Sequence, residues 1–522
     1  MSAGSAPDVS VVIAVYNTMP YLTECLKSVL GQSIGADRLE VITVDDGSTD
    51  ASGAELDRWA QRYPGIVKVI HQPNSGGPAV PSNRALDIAT GRYVFFLGAD
   101  DYLGTEALER LVAAADELDA DIVLGRLVGA GGRVVNQQVY RPGNADDITL
   151  VNSALPWALS NTKLFRRSLI EDLGLRYPEE MRSGSDQPFT MRAVVAARRI
   201  AVRADYQFYY AVRRTDSSNI TYGTPVEGFL RDAAALMDTA ADVITDPVAR
   251  DRVLHRHFSW EVTKLLGDRF LAAQPDERRR VQEGVRKLAD TYLTETIRED
   301  LEVNRRIPIS VAQHGTVDDI VAVARHYADR GLSPMIVEGD VYYAALPGFR
   351  DPARDFPDAW YDGSTAARKR AGHSRPAVVR WAAGADGGRV LVVAWHSSLP
   401  GPATVSVSAG DRPGAVTVTA APDGGTDIRA EFAVGDLVGH ERKRKRLRVR
   451  FTWTARDEVY DDRVIALDLT GARRVVCRRG LRFYVVHTDR DGKLGLGVVI
   501  NPVTPRRIAG LLARKLRLRR AR

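Results

Sequence analysis

Short runs of β-branched and aromatic residues alternate with amphipathic stretches along the first hundred residues. VSVVIAVYN, LEVITVDDGSTD, IVKVIHQPN and YVFFL are predicted strands. Between the first two, PYLTECLKSVLGQ has helical periodicity, and Pro20 is suited to the first turn. The residues on its apolar face are Leu22, Cys25, Leu26, Val29 and Leu30. Repeated strand–helix units predict a parallel sheet, whose ligands collect beyond the carboxyl ends of the strands.

Polar residues stand at the end of each of these predicted strands. They are Asn17, Asp45, Asp46, Asn74, Asp100 and Asp101. The last pair is unusual, because the apolar run RYVFFLGADDYL ends in adjacent acids that are costly to bury unless something binds them. The alternative is that Asp100 and Asp101 cap the helix that follows. The shared position of these polar residues predicts a ligand-binding edge of the sheet.

The periodicity changes further along the chain. Residues 226–330 are helical and charged, residues 331–370 are rich in proline and aromatics, and the period then becomes two. Short alternating strands between Gly and Pro turns predict one or more immunoglobulin-like β-sandwich modules over residues 371–503. The predicted organisation is therefore an α/β domain at 1–225, a helical extension, a linker subdomain, the β modules and a basic tail at 504–522.

Composition describes a soluble chain of several domains. With 522 residues, 44% hydrophobic and 26% charged, it is too long for one core, and no apolar run approaches the ~18 residues of a membrane span. The N-terminus has no basic segment before its first apolar run, so no signal peptide is expected. Cys25 and Cys477 predict two structural thiols in a reducing compartment, and the histidines have no metal-ligand spacing.

Four motifs occur together in the order and spacing of family 2 glycosyltransferases: VVIAVYN, VDDGSTD, NSGGPAVPSNRAL and FFLGADD. Residues 8–220 resemble that family. The resemblance implies the A-type nucleotide-sugar-binding fold and a nucleotide diphosphate-sugar donor. The pyrophosphate leaving group needs a divalent cation, Mn2+ or Mg2+, and basic residues as the glycosidic bond breaks.

By this resemblance, Asp100 is the metal ligand at the end of the fourth strand. The family has Asp-x-Asp here, but Gly98 replaces the first acid, which serves the ribose side. The residues implied to bind the nucleotide-sugar are Val15, Tyr16, Asn17, Asp45, Asp46, Asn74, Asn83, Arg84, Ala99, Asp100, Arg213, Arg214, Ser217 and Ser218. Ser82 stands where the family often has an arginine, and Arg84 is the candidate to supply its charge.

The catalytic base implied by the resemblance is Asp186. Transfer with inversion needs a base to take the proton from the attacking hydroxyl. Gly184-Ser185-Asp186 matches the family's Gly-Glu-Asp motif at a helix start, with serine in place of glutamate. Without the upstream motifs, Asp186 would be interpreted as a helix N-cap, and the basic residues near 213 as a solvated loop.

The linker VEGDVYYAALPGFRDP and the β modules further resemble the TarS-like wall teichoic acid transferases, which are poly(ribitol phosphate) N-acetylglucosaminyltransferases. This implies transfer of a sugar, N-acetylglucosamine, from a UDP-sugar to an anionic polysaccharide by a homo-oligomer, a trimer. The basic strand at 442–450 suits such an acceptor, or is a solvated face. Two alternative functions are a degenerate transferase that acts as a polysaccharide-binding scaffold, and a family 2 transferase with a lipid or protein acceptor.

The last seventeen residues contain eight Arg or Lys and no acid. Ile508, Leu511, Leu512 and Leu516 share one helical face, which is typical of a helix lying on an anionic leaflet. The rivals are a nucleic-acid-binding tail and a disordered solubilising tail, but no nucleic-acid-binding module accompanies it. The tail therefore predicts a cytoplasmic protein, peripheral at the inner face of the plasma membrane, with no nucleic-acid partner.

Overall fold

The computed structural model describes residues 6–214, 225–330, 335–338, 341–365, 375–384, 387–397, 404–422, 426–439, 441–455, 458–469, 474–480, 482–491 and 495–503. The chain forms two compact units, Met1–Leu301 with Pro308–Val321, and Glu302–Ile307 with Ala322–Arg522. The predicted α/β domain thus shares a unit with most of the helical extension, and the predicted β modules belong to the other unit.

The first unit is built on a seven-stranded sheet. Its strands are β1 (Val9–Val15), β2 (Leu39–Asp45), β3 (Val67–His71), β4 (Tyr93–Phe96), β6 (Ile122–Gly125), β8 (Leu164–Arg166) and β9 (Ile200–Arg203). Their order is β3-β2-β1-β4-β8-β6-β9. The first four strands pair in parallel, as predicted, and β8 is antiparallel to both β4 and β6. A smaller sheet contains β5 (Tyr102–Leu103), β7 (Leu127–Ala130) and β10 (Tyr209–Val212), in the order β5-β10-β7.

Helices alternate with these strands and supply the core. They are α1 (Tyr21–Leu30), α2 (Ser52–Arg62), α3 (Ala79–Leu86), α4 (Ala107–Leu118), α5 (Arg167–Asp172) and α6 (Asp186–Ala196). The predicted face of α1 is confirmed, because Leu22, Cys25, Leu26 and Val29 are buried in the main core. Helix α3 begins at Ala79 and contains Pro81 in its first turn, where proline is tolerated.

The helical extension is confirmed over most of its length. Its helices are α7 (Val226–Val243), α8 (Pro247–His257), α9 (Thr263–Leu265), α10 (Asp268–Ala272), α11 (Pro275–Tyr292), α12 (Glu295–Asp300), α13 (Val303–His314) and α14 (Val317–Arg330). A π-helical segment, Phe258–Val262, joins α8 to α9. Such segments widen the helix locally and reorient the side chains beside them.

The second unit is rich in β-structure, as predicted. A hairpin of β11 (Met335–Glu338) and β12 (Val341–Ala344) precedes a short helix, α15 (Asp358–Tyr361). The strands that follow are β13 (Arg375–Ala383), β14 (Arg389–Ser397), β15 (Thr404–Ala409), β16 (Arg412–Pro413), β17 (Ala415–Ala420), β18 (Thr426–Ala433), β19 (Lys445–Ala455), β20 (Glu458–Asp468), β21 (Val475–Arg479), β22 (Arg482–Asp491) and β23 (Gly495–Pro502), with α16 (Val434–Leu437) after β18. Hydrogen bonding links all eleven into one network of strands.

The side chains of the basic strand are alternately buried and exposed. In β19, Leu447 and Val449 are buried, whereas Arg446, Arg448 and Arg450 are exposed. Both cysteines are free thiols. Among the described residues, no helix combines the length and apolar character that crossing a membrane requires. The predicted tail helix at 504–522 lies outside the described residues.

Candidate active site

The parallel register brings the predicted polar strand ends to one edge of the sheet. Val15 at the end of β1 is opposite Asp45 at the end of β2, which in turn is opposite His71 at the end of β3. Val15 is buried and Tyr16 is 44% exposed. A tyrosine ring with this exposure at a strand end can stack on a planar ligand.

Asn17 shapes the loops at this edge. Its backbone φ is 48°, a left-handed conformation that asparagine tolerates better than most residues. Its Oδ1 accepts hydrogen bonds from the backbone N–H of Thr49 at 2.7 Å and of Asp50 at 3.2 Å. Asn17 therefore ties the end of β1 to the loop after β2.

Asp45 is held from two sides. Its Oδ1 accepts from the backbone N–H of Ser48 at 3.0 Å, and its Oδ2 lies 2.9 Å from Nδ1 of His71. Nε2 of the same imidazole lies 3.0 Å from Asp57. Hydrogen bonds to Asp57 and Asp45 raise the pKa of His71, so the ring bridges two carboxylates best as a cation.

Asp46 anchors the loop after β3. Its Oδ1 accepts from Nε2 of Gln72 at 2.6 Å, and its Oδ2 accepts from the hydroxyl of Ser75 at 2.9 Å. Asn74 donates to the backbone carbonyl of Asp46 at 3.0 Å. Arg84 donates to Oε1 of Gln72 at 3.2 Å. Arg84 is therefore linked through one amide to this edge, and its binding to the nucleotide-sugar stays a prediction.

Asp100 and Arg214 form an ion pair after the end of β4. Nε of Arg214 donates to Oδ2 of Asp100 at 2.7 Å, and the guanidinium lies 6.0 Å from the ring centroid of Tyr21. The two paired side chains are 18% and 13% exposed, and Ala99 is buried. A carboxylate and a guanidinium of this accessibility can bind a cation and a phosphate respectively.

Asp101 has a different environment from its neighbour. It is buried, its Oδ2 accepts from the hydroxyl of Tyr209 at 2.6 Å, and its Oδ1 accepts from the backbone N–H of Val212 at 2.7 Å. Burial and the charge of Asp100 raise the pKa of Asp101 to about 6. The two acids therefore divide their roles: Asp100 faces the ion pair, and Asp101 joins β10 to the end of β4.

The same contacts explain Gly98. A Cβ at this position would lie 2.8 Å from Oδ2 of Asp101 and 3.2 Å from the hydroxyl of Tyr209. The space of the family's first acid is thus taken by the Asp101–Tyr209 pair.

Asn83 was predicted to bind the nucleotide, and the structure commits its amide elsewhere. Its Nδ2 donates to the carbonyl of Tyr177 and to Glu179, each at 3.0 Å, and its Oδ1 accepts from the N–H of Tyr177 at 2.8 Å. Asn83 is buried and fixes the backbone of the segment that precedes α6. Hydrogen bonds to a backbone donor and acceptor of one residue are typical of a positioning amide.

Asp186 is the first residue of α6, where the helix dipole favours a negative charge. Gly184 has a φ of 75°, a left-handed turn that suits glycine. The backbone N–H of Asn161 donates to Oδ2 of Asp186 at 3.2 Å. Burial raises the pKa of Asp186, and the bond from Asn161 and the charge of Lys163 act against it. A carboxylate with a raised pKa is suited to proton transfer.

Four residues of the site were not singled out from the sequence: Asn161, Lys163, Tyr177 and Tyr209. Each acts through a partner that is distant in sequence, so its contacts could not be predicted from local spacing. Of the predicted residues, Arg213 is exposed, and Ser217 and Ser218 lie outside the described residues. The described part of the chain contains no group of three His, Cys, Asp or Glu side chains that could hold a metal.

The sheet is mixed, with parallel strands β1–β4 that have acids and a basic residue at their carboxyl ends. A further acid lies at the start of α6. This arrangement is expected of a nucleotide-sugar-binding A-type domain.

Comparison with known proteins agrees with this class. Residues 10–174 match the family described as "Glycosyl transferase family 2", and residues 226–324 match the "Glycosyl transferase TarS linker domain". The chain therefore combines a family 2 glycosyltransferase domain with a TarS linker domain, which confirms the family resemblance and the fold class.

Curated relatives cover about half of the chain. A poly(ribitol-phosphate) beta-glucosyltransferase of Bacillus spizizenii is 36% identical over 263 residues, 49% of this chain and 41% of the relative. The poly(ribitol-phosphate) beta-N-acetylglucosaminyltransferase TarS of Staphylococcus aureus is 34% identical over 259 residues, 49% of this chain and 45% of the relative. The match thus spans less than half the length of each relative.

Solved structures extend the likeness in fold. The structure of S. aureus TarS 1–349 in complex with UDP-GlcNAc has a TM-score of 0.57 and 28% identity, covering 65% of this chain and 97% of that chain. S. aureus TarS has a TM-score of 0.63 at 22% identity, covering 95% of this chain and 86% of that chain. At that identity the second match shows a shared fold.

Proposed function

We propose that the chain is an inverting glycosyltransferase that moves N-acetylglucosamine from a UDP-sugar to a hydroxyl of an anionic cell-wall polymer of the poly(ribitol phosphate) type. The observation that carries the proposal is the Asp100–Arg214 ion pair, 2.7 Å long, after the end of β4. It places one carboxylate and one guanidinium where a parallel sheet binds its ligands.

The donor's diphosphate would be bound at this pair. Arg214 can neutralise phosphate oxygens with a planar, charged donor group. Asp100 fits a divalent cation, Mn2+ or Mg2+, because such ions are held by one or two carboxylates together with substrate phosphates. When bound, the cation would stabilise the negative charge on the departing UDP. Asp45, Asp46 and Asn74 would hold the loops around the nucleoside.

Asp186 is assigned the role of catalytic base. Its Oδ2 is oriented by the N–H of Asn161, and the other carboxylate oxygen is assigned to accept the proton of the acceptor hydroxyl as that oxygen attacks the anomeric carbon. The bond to UDP then breaks on the opposite face of the sugar, so the configuration inverts. Asp186→Asn should keep donor binding and lose transfer.

The acceptor assignment draws on the named relatives and on charge. Both are poly(ribitol-phosphate) transferases, and their transferred sugars differ, glucose in one and N-acetylglucosamine in the other. The exposed arginines of β19 supply positive charge for a phosphate polymer. Two further points stay predictions. One is assembly into a homo-oligomer, a trimer, and the other is peripheral contact with the inner membrane face through residues 504–522.

Calorimetric titration tests the proposal. UDP-N-acetylglucosamine, UDP-glucose and UDP-galactose are titrated into the full chain with Mn2+ or with EDTA, and release of UDP is then measured with poly(ribitol phosphate), a lipid acceptor or no acceptor. Metal-dependent binding of UDP-N-acetylglucosamine and polymer-dependent UDP release are expected. Absence of nucleotide binding under either condition would favour the scaffold, and transfer to the lipid alone would identify the other acceptor class.

A further inference from the structure

Lys163 is an unusual residue for the place it occupies. It lies just before β8, and it is 1% exposed. Its Nζ donates a hydrogen bond to the backbone carbonyl of Ser160. A buried ammonium is costly unless an opposite charge is nearby, and a neutral carbonyl does not supply one.

The negative charge of Asp186 favours the ionised form of Lys163. The segment that carries Lys163 also supplies the N–H of Asn161, which donates to Oδ2 of Asp186 at 3.2 Å. One short turn therefore contacts the carboxylate directly through Asn161 and is closed by the bond from Lys163 to Ser160, and the charges of Lys163 and Asp186 favour each other's ionised forms. Tyr177 holds this turn in place, because its hydroxyl accepts a hydrogen bond from Nδ2 of Asn161 at 2.9 Å.

We propose that Lys163 is a positioning residue that keeps the carboxylate of Asp186 ionised and fixed in orientation. This inference rests on the proposed function, in which Asp186 is the base. The turn at 160–163 then keeps Asp186 ionised and correctly oriented before the acceptor binds. Preorganised charge of this kind costs no rearrangement during the reaction.

The pKa shifts of Lys163 and Asp186 agree with this proposal. Burial lowers the pKa of Lys163 to about 7, although the charge of Asp186 acts against this. Burial raises the pKa of Asp186, and the charge of Lys163 opposes the rise. Each ionised partner thus stabilises the other. Removing the ammonium should leave the carboxylate protonated up to a higher pH.

Other charged and titratable groups face this carboxylate. The charge of Arg256 on α8 also lowers the pKa of Asp186, but its Nη1 donates to Gln187 and to Glu261, at 2.8 and 2.7 Å. Tyr177 is buried beside the base, and the charge of Asp186 helps to raise the pKa of that phenol. Lys163 is distinguished from both because it belongs to the turn that bonds Asp186.

The first test is the pH profile of kcat/KM for UDP release by Lys163→Met. We expect the acid limb to move up by about one pH unit and kcat to fall, with the Kd for UDP-sugar unchanged. Lys68→Met is the matched control. Lys68 lies on β3, which is four strands away from β8 in the sheet, and it forms an ion pair with Glu40 at 2.6 Å. Its acid limb should stay in place. An unmoved acid limb in folded Lys163→Met would overturn the inference.

A second test does not depend on activity. The free energies of unfolding of Lys163→Met, Asp186→Asn and the double variant form a double-mutant cycle. We expect the double variant to be more stable than additivity predicts at pH 6, and this excess to shrink by pH 9; strict additivity at both would overturn the inference. If Lys163→Met fails to fold, Asp186→Asn alone should lose more stability at pH 6 than at pH 9, and equal losses would overturn it. Failure of donor binding by the parent chain would instead sink the proposed function.

Discussion

The hydroxyl of Tyr209 donates to Oδ2 of Asp101 at 2.6 Å and accepts from the backbone N–H of Gly98 at 3.1 Å. One phenol therefore joins β10 to both ends of the short loop that carries Asp100. Since Arg214 follows β10, the same contact holds the two members of the Asp100–Arg214 pair on adjoining segments.

Tyr209→Phe should destabilise the first unit and disturb the donor site. Removing the hydroxyl leaves a buried carboxylate oxygen without its donor, at a cost of about 1–3 kcal/mol. We expect that loss in the free energy of unfolding from urea titration, together with weaker binding of UDP. Tyr210→Phe is the matched control, because it removes the same group from the next residue of the strand, which points to the opposite face. Equal effects of the two changes would contradict the assignment.

Gly98→Asp, which restores the first acid of the family motif, should weaken the protein rather than improve donor binding. Its Cβ would lie 2.8 Å from Oδ2 of Asp101, which forces the loop to shift at a cost of about 1–3 kcal/mol. Gly435→Asp is the matched control, because it introduces the same side chain where a Cβ meets no atom within 4 Å. Tighter UDP binding by Gly98→Asp at unchanged stability would show that the loop accommodates both acids.

Asp100→Asn should abolish the metal dependence of UDP binding. Loss of a charge-assisted contact of about 1.5–3 kcal/mol corresponds to roughly 10–100-fold weaker binding in the presence of Mn2+. In EDTA the variant and the parent should bind alike. Asp242→Asn, an exposed acid on α7 that pairs with Arg192 at 3.5 Å, serves as the control and should retain the metal dependence. The assignment fails if Asp100→Asn keeps its response to Mn2+.

The strands and the ligand-binding edge could be predicted because they depend on local patterns. The runs that became β1 to β4 are β-branched and apolar, and the polar residues that end them lie together once the strands pair in parallel. The alternation of buried and exposed side chains in β19 also follows from the local sequence, because a period of two places every arginine of this run on one face. These features need no knowledge of which distant segments meet.

The positioning contacts could not be predicted in that way. Asn83 matches a motif that suggests the nucleotide, but its partners at Tyr177 and Glu179 are more than ninety residues away. Lys163 precedes an apolar run, and its side chain is buried there by the tertiary fold rather than by local sequence. The glycine at position 98 is explained only when the Asp101–Tyr209 contact is known, because a side chain there would come too close to the Asp101 carboxylate and to the Tyr209 hydroxyl on β10.

A buried ionic cluster on α8 and the adjoining π-helical segment gives the chain a specific sensitivity to acid. Oε1 of Glu261 accepts from Nη1 of Arg256 at 2.7 Å, and Oε2 lies 3.2 Å from Nδ1 of His257. Burial alone would raise the pKa of Glu261, but the charge of Arg256 and the contact with His257 lower it to about 2. Burial also lowers the pKa of His257.

Both depressed pKa values predict loss of stability as pH falls. Glu261 contributes stability that is fully present above its unfolded pKa of 4.5 and is lost as pH decreases toward about 2. Between about pH 6 and pH 3.5, the parent should therefore lose roughly 1–2 kcal/mol more of its free energy of unfolding than Glu261→Gln does. The variant itself should be less stable near neutrality, because Arg256 is left in a buried site without its carboxylate.

Urea titrations at the two pH values measure this difference. Glu283→Gln, at an exposed position on α11, is the control and should lose as much stability on acidification as the parent. Because Arg256 also donates to Gln187 beside the assigned base, Glu261→Gln should in addition alter the acid limb of UDP release. If parent and Glu261→Gln lose stability equally on acidification, the cluster does not hold its glutamate ionised, and acid sensitivity arises elsewhere in the chain.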